Sequence, residues 1–92
     1  MKVTVHIIGE LATSFGHDHI VELEQGSTIT TMTTKISERK GSKRQGYLGR
    51  YRLGENELTI MINGRNIHLL NGTDTVLHDG DQVTILPPSA GG

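Results

Sequence analysis

The chain contains no cysteine, only two prolines and no long run of apolar residues. Without cysteine the protein can form no disulfide, no thiolate metal site and no cysteine nucleophile or persulfide of its own. No apolar run approaches the ~18 residues that a membrane span requires, and Met1-Lys2-Val3 opens a strand-like pattern rather than a signal peptide. The 92 residues allow one small core. The sequence therefore predicts a cytoplasmic protein of one domain with no membrane partner.

Recognisable catalytic and metal-binding patterns are also missing. No serine, histidine and carboxylate have the spacing of a known catalytic set. His17-Asp18-His19 offers ligand-type side chains, but it lies in a predicted turn without a third and fourth ligand nearby. Gly46-Tyr47-Leu48-Gly49 lacks the strand-to-helix context and the lysine of a phosphate loop. We therefore expect no enzymatic activity, no bound metal and no bound cofactor.

Alternating apolar and polar residues predict five strands. Residues 2–8 and 19–24 alternate, which indicates a hairpin with a turn between its strands. Residues 58–69 alternate on both sides of Asn63-Gly64, a dipeptide that favours a tight hairpin turn. Asp79-Gly80 marks another turn, and a last strand follows it.

One helical pattern lies between these strand pairs. Apolar residues recur there three and four positions apart, at Ile29, Met32 and Ile36. Ser27 or Thr28 is a plausible helix cap, and Gly41 is a suitable stop. Four threonines lower the helix propensity. The spacing and the position after a strand pair nevertheless favour a helix.

Charge is unevenly distributed, although the net charge is only −1. Positions 35–52 hold seven of the nine basic residues and only one acidic residue, Glu38, so this segment carries +6. The basic residues are Lys35, Arg39, Lys40, Lys43, Arg44, Arg50 and Arg52. Residues 41–57 show no periodicity and are predicted to form a long basic loop that Tyr47, Leu48, Tyr51 and Leu53 attach to the core. Such a loop could attract nucleic acid or an acidic partner, or it could be a solvated loop that charge protects from aggregation.

The order of elements is strand, strand, helix and three more strands. One helix must then cover one face of one mixed sheet, because neither element can bury its apolar side alone. The first and last strands are both rich in apolar residues, so we place them side by side and parallel at the centre. This is an α+β architecture, the β-grasp, with the opposite sheet face left open. The predicted core consists of Val3, Val5, Ile7, Val21, Leu23, Ile29, Met32, Ile36, Leu58, Ile60, Ile62, Ile67, Leu69, Val83 and Ile85.

The segment from Ile62 to Gly92, INGRNI…L.G.DT.L.DGDQVTILPP..GG, resembles the end of the ubiquitin-like sulfur carriers and small modifiers. This family includes MoaD (the small subunit of molybdopterin synthase), the thiazole-pathway carrier ThiS and the small archaeal modifier proteins (SAMPs). The opening KVTV…L….G….VEL..GSTI is similar as well, so the resemblance spans nearly the whole chain. The threonine-rich helix and the loop that follows it are its least typical parts.

The resemblance implies a role for the C-terminus. An adenylyltransferase of the ubiquitin-activating type would use ATP to form an acyl-adenylate at Gly92. A sulfur donor could convert this to a thiocarboxylate, most readily for molybdopterin synthesis with the large subunit of a molybdopterin synthase. Alternatively, the lysines of target proteins could take the acyl group as isopeptides, and one chain could do both. In each case the chain is a substrate and carrier, not a catalyst.

The residues of the tail suit this chemistry. Pro87-Pro88 cannot donate to a strand ladder, so the domain is expected to end at residue 86. Residues 87–92 are expected to form a flexible tail that projects by roughly 19 Å when extended. The tail for the enzyme channel is expected to consist of Pro87, Pro88, Ser89 and Ala90, and Gly91 and Gly92 form the terminus that is activated. Because the chain has no cysteine, any sulfur that it carries must sit on the terminal carboxyl group.

Strand alternation predicts where a partner docks. If Ile60 and Ile62 point to the helix, Met61 points to the open face, and Thr84 and Leu86 do the same on the last strand. We call Met61, Thr84 and Leu86 the partner patch and expect the activating enzyme to bind there. The alternative is a β-grasp interaction module whose basic loop binds nucleic acid or an acidic protein.

Overall fold

The computed structural model describes residues 1–41, 46–54 and 58–88. Its elements in chain order are β1 (Lys2–Ile7), α1 (Glu10–Phe15), β2 (Asp18–Glu22), α2 (Ile29–Arg39), β3 (Tyr47–Leu48), β4 (Tyr51–Arg52), β5 (Thr59–Ile62), β6 (Arg65–Asn66) and β7 (Gln82–Leu86). Two 3-10 turns, Ile67–Leu69 and Gly72–Asp74, lie between β6 and β7. Within these ranges, neither helix has the length and apolar character needed to cross a bilayer.

Five strands form one mixed sheet in the order β2-β1-β7-β5-β6. The first and last strands, β1 and β7, pair in parallel at its centre, with Val5 opposite Val83 and Ile7 opposite Ile85. Antiparallel strands flank them, β2 beside β1 and β5 beside β7. The predicted β-grasp fold, with its central parallel pair and one main helix, is confirmed.

The main helix α2 accommodates its threonines through local hydrogen bonds. Thr28 is the N-cap, and its side chain accepts a hydrogen bond from Thr31 N. Within the helix, Thr33 Oγ1 donates to Ile29 O at 3.1 Å, and Thr34 Oγ1 donates to Thr30 O at 2.9 Å. Threonine hydroxyls therefore bond carbonyls of the preceding turn and so have hydrogen-bond partners. The burial of Ile29, Met32 and Ile36, rather than helix propensity, stabilises α2.

The stretch 10–15 is a helix, not the turn that the sequence predicted. Three apolar side chains of α1 are buried, Leu11, Ala12 and Phe15, and glycines flank the helix on both sides. Glycines flank turns as well as short helices, so the local sequence does not distinguish a turn from a six-residue helix. Tertiary packing favours the helix, because it places Leu11 and Phe15 against Gly49 of the β3–β4 turn.

The predicted long loop contains a short β-hairpin. Its described residues, 46–54, contain the antiparallel pair β3–β4, with Leu48 opposite Tyr51. Both side chains are buried, and Leu53 packs against the core, as expected for residues that attach this segment. Lys43 and Arg44 lie outside the described residues.

Every residue of the predicted core is buried except one. Leu69 is 80% exposed. The last part of the 58–69 pattern is not a strand, because β6 ends at Asn66 and Ile67–Leu69 is a 3-10 turn. Residues two apart share a face in a strand but not in a helix of three residues per turn, so Ile67 is buried and Leu69 is not. Leu48 and Tyr51, which were expected to attach the loop, belong to the core as well, and the core residues that the sequence did not indicate are Leu11, Ala12, Phe15 and Leu77.

The Asn63-Gly64 and Asp79-Gly80-Asp81 motifs meet in space. Asn63 and Gly64 both have positive φ, 50° and 85°, as a type I′ hairpin turn requires. The Asn63 side chain donates to Asp81 Oδ1 at 2.9 Å and accepts from Gln82 N at 2.9 Å. Asp79 Oδ1 accepts from Lys2 N at 2.8 Å. These motif residues therefore hold β1, β5 and β7 in register.

Candidate functional site

The base of the C-terminal segment lies at the end of the central strand. β7 ends at Leu86, and Pro87, which has no N–H, begins the segment that leaves the sheet. Pro87 is half-buried against the chain between β1 and α1, whereas Pro88 is exposed. The predicted tail residues Ser89, Ala90, Gly91 and Gly92 lie outside the described residues.

The partner patch lies on the sheet face opposite α2. Met61 and Thr84 are cross-strand partners, and Leu86 lies opposite Thr59. Met61, Thr84 and Leu86 are each half-buried, and their neighbours along the strands, Ile60, Ile62, Val83 and Ile85, fill the core. The structure thus brings the three patch residues together beside the base of the tail.

Sequence reasoning missed Ile8, which extends this patch. Ile8 follows β1 directly, and its N–H donates to Ile85 O at 3.0 Å, so its register position lies beside Leu86. Its side chain is 46% exposed. The alternation of β1 could have indicated Ile8, because Thr4, His6 and Ile8 are two residues apart and all point to the open face.

A polar pair lies on the same face. His6 Nδ1 is 2.7 Å from Asp18 Oδ1 across the β1–β2 pair, and His6 is also paired with Thr84 of the patch. Asp18 therefore has a structural partner. His19 lies near Arg39, with 3.4 Å between Nδ1 and Nη1. Among the described residues, no group of three or more histidines and carboxylates could hold a metal.

Part of the basic segment is engaged within the molecule. Arg39 Nη2 donates to Ile20 O at 2.9 Å, which satisfies a carbonyl on the edge strand β2. Arg50 pairs with Glu10 at 2.9 Å. The Glu10 carboxylate offsets the charge of Arg50, whereas Arg39 keeps its charge but uses one of its donors within the molecule.

Comparison with known proteins defines the class of the chain. A sequence model of the ThiS family matches residues 5–92, which is almost the entire chain. The protein therefore belongs to the ThiS family, within the ubiquitin-like sulfur carriers and small modifiers. The resemblance noted in the sequence is confirmed.

A relative from Archaeoglobus fulgidus supports this placement. It is provisionally described as a sulfur carrier protein and is 43% identical over 35 residues. The match covers 38% of this chain and 40% of the relative, so the chain matches well under half the length of that protein.

Two archaeal structures share the fold over nearly all residues. The solution structure of small archaeal modifier protein 1 from Methanosarcina acetivorans has a TM-score of 0.73 at 23% identity, covering 99% of this chain and 96% of that one. Subunit 1 of a provisionally described molybdopterin converting factor from Pyrococcus furiosus has a TM-score of 0.76 at 24% identity, covering 97% and 99%. At these identities the similarity defines the fold.

Proposed function

We propose that this protein is a carrier whose Gly92 carboxylate is activated by a partner enzyme and then transfers an acyl group or sulfur. The observation that carries the proposal is the position of Pro87. The central strand ends one residue earlier, at the edge of the partner patch, and the five residues beyond Pro87 end in Gly91-Gly92. A partner bound to the patch is therefore close to where the tail begins. The match to the ThiS family model, which extends to the last residue, supports the same assignment.

The proposed chemistry begins with adenylation. The Gly92 carboxylate attacks the α-phosphate of ATP on the partner enzyme, and pyrophosphate leaves. Hydrosulfide (HS⁻) then attacks the acyl carbon, AMP leaves with loss of a proton, and the terminus becomes a thiocarboxylate with no change of oxidation state. If a lysine amine attacks instead, AMP leaves and an isopeptide forms. In this proposal residues 1–86 are the docking domain and residues 87–92 the tail, ATP binds the partner, and this chain supplies only the reacting carboxylate.

The tail's composition supports activation in a narrow channel. Glycine has no side chain to collide with channel walls and can take backbone angles that other residues avoid. Pro87 and Pro88 restrict the chain where it leaves the sheet. The absence of cysteine leaves Gly92 as the place for transferred sulfur.

The first role that we propose for the activated terminus is sulfur transfer for molybdopterin synthesis. The second is conjugation to the lysines of other proteins. The named relatives include a sulfur carrier, a molybdopterin converting factor subunit and a small modifier, so both have support. Nucleic-acid binding by the basic segment has less support, since Arg39 and Arg50 have intramolecular partners.

The first experiment compares the intact chain with a variant lacking Gly92 in an ATP-dependent adenylation assay with the cognate activating enzyme. Deletion moves the carboxylate back by about 3.5 Å, and a misplacement of ~1 Å can cost on the order of a hundredfold in rate. The deletion should abolish adenylation and leave the melting temperature unchanged. Equal adenylation of both chains would refute the proposal.

The second experiment distinguishes the two destinations. Protein isolated from its native host is treated with a sulfur-selective alkylating reagent, and its C-terminal peptide is analysed by mass spectrometry. Alkylation at Gly92 identifies the thiocarboxylate, whereas a lysine-linked Gly92 remnant on other proteins identifies conjugation. The alkylation is needed because a thiocarboxylate nearly matches methionine oxidation in mass, and the chain has three methionines.

A further inference from the structure

Pro87 lies against Gly9 so closely that no other residue fits at position 9. A Cβ atom on Gly9 would be 2.9 Å from Pro87 Cγ and 3.2 Å from Pro87 Cδ. Non-bonded carbon atoms pack at about 3.5 to 4.0 Å, so either Pro87 or the backbone would have to move. The proline ring therefore occupies the space that a side chain at position 9 would fill.

The backbone of Gly9 gives a second, separate reason for glycine. Its φ of 80° and ψ of −150° lie in a region that is essentially restricted to glycine. This conformation turns the chain from β1 into α1. The preceding residue stays in the sheet, because Ile8 N donates to Ile85 O at 3.0 Å. Gly9 is thus held beside the end of β7.

The turn at Gly9 is also anchored from its other side. Glu10, the next residue, accepts hydrogen bonds from Arg50 Nη2, at 2.9 Å, and from the Tyr51 hydroxyl. Gly49 of the same hairpin approaches α1 closely, since a Cβ there would lie 3.3 Å from Leu11 Cδ2. The β3–β4 hairpin therefore fixes α1, and α1 fixes Gly9.

We propose that Gly9 and Pro87 form a tail seat, a contact that sets the direction in which the chain leaves the domain at Pro88. Gly9 is then a positioning residue for the activation of Gly92, and this inference rests on the proposed function. Binding of the enzyme and orientation of the tail then depend on separate parts of the molecule. The partner patch determines how well the enzyme binds, whereas the tail seat determines how often the carboxylate reaches the reactive position.

This separation predicts a distinct kinetic signature. Without the seat, at least one more residue must lose its conformational freedom in the transition state. This entropy cost lowers the rate by about five- to thirtyfold. The kcat for adenylation should therefore fall on the order of tenfold in Gly9→Ala, while the KM for the carrier stays within about twofold. Partial unfolding of the carrier would not lower kcat at an unchanged KM. It would leave less folded carrier for the enzyme and so raise the apparent KM.

The test uses the full chain, the variants Gly9→Ala and Pro87→Ala, and the double variant. Gly26→Ala is the matched control. Gly26 has φ of 87°, and a Cβ added there would meet no atom within 4 Å, so this variant introduces a side chain at positive φ without the clash. Gly26→Ala should keep the parental kcat. Both seat variants should lower kcat, and the double variant should lose no more than the worse single variant, since both substitutions remove one contact.

A nuclear Overhauser effect between Gly9 Hα and Pro87 Hγ tests the contact without any assay of activity. It should be present in the parent and lost in Gly9→Ala, which keeps both protons; Pro87→Ala has no Hγ at position 87 and is therefore compared by kcat alone. Its absence from the parent would overturn the inference, as would multiplicative losses in the double variant or equal losses in Gly9→Ala and Gly26→Ala. If instead the chain lacking Gly92 is adenylated normally, the proposed function fails, and the Overhauser measurement still decides whether the seat exists.

Discussion

The Tyr51 hydroxyl donates a hydrogen bond to the Glu10 carboxylate and so joins the β3–β4 hairpin to α1. Tyr51 is buried, whereas the Arg50 side chain that bonds the same carboxylate is 75% exposed. Removing a hydrogen bond to a charged group costs about 1.5 to 3 kcal/mol, and an exposed ion pair contributes about 0.2 to 1. Tyr51→Phe should therefore lower the free energy of unfolding more than Arg50→Ala does. Denaturant titration measures both, and a larger effect of Arg50→Ala would contradict the assignment.

The 3-10 turn after β6 gives a second prediction. Ile67 is buried, and Leu69, two residues later, is 80% exposed. Ile67→Ala should cost about 2 to 4 kcal/mol of stability, because it leaves a cavity, whereas Leu69→Ala should stay within about 0.5. Thermal or chemical unfolding of the two variants provides the comparison. Equal costs would mean that residues 65–69 continue as a strand.

The central strand gives a third prediction. Val83 is fully buried between β1 and β5, and its neighbour Gln82 is exposed. Val83→Glu should unfold the protein, because an unpaired buried charge costs several kcal/mol against a total stability of about 5 to 15. Gln82→Glu places the same side chain one position away and should leave a cooperative transition. Circular dichroism distinguishes the outcomes, and a folded Val83→Glu variant would refute the assigned core.

The central strand pair, the hairpin turn and the partner patch were predictable because a local pattern in the sequence indicates each of them. Val3, Val5 and Ile7 alternate strictly, and so do Val83 and Ile85, which was enough to place two apolar strands together at the centre. Asn63-Gly64 predicted its turn because only residues that tolerate positive φ fit there. The partner patch followed from the same alternation.

The parts that were missed depend on tertiary contacts between short segments. Leu11 and Phe15 are four residues apart, but six residues are too few for a periodic pattern to stand out. Both side chains pack against Gly49, which is far away in sequence. The contact between Gly9 and Pro87 likewise joins two residues whose sequence context gives no sign that they meet. Such contacts connect the predicted elements and are visible only once the fold is known.

Docking on the open face gives a fourth prediction. Met61→Asp should weaken binding of the activating enzyme, because it places a charge within the apolar partner patch, next to Thr84. The KM for the carrier should rise about tenfold or more, while the fold is retained, since Met61 lies outside the core. Leu69→Asp is the matched control, as it adds the same charge at an exposed apolar residue outside the patch. Unchanged KM in Met61→Asp would mean that the enzyme binds elsewhere.

The terminal glycine pair gives the last prediction. Gly91→Val adds a branched side chain one residue before the carboxylate that we propose is activated, where the proposed enzyme channel would close on the backbone. Adenylation should fall by about a hundredfold, because small displacements of a reacting atom have effects of that size. Stability should stay within about 0.5 kcal/mol of the parent, since the substitution lies outside residues 1–86, which contain the whole core.

The control for this variant is Ser89→Ala, which shortens a side chain three residues before the terminus and should cost much less than Gly91→Val. Both proteins are compared with the parent in the adenylation assay and in a thermal melt. A Gly91→Val chain that is adenylated at the parental rate would show that the enzyme does not enclose the last residues. The reacting carboxylate would then be reached from an open surface, and the glycine pair would need an explanation other than access to a channel.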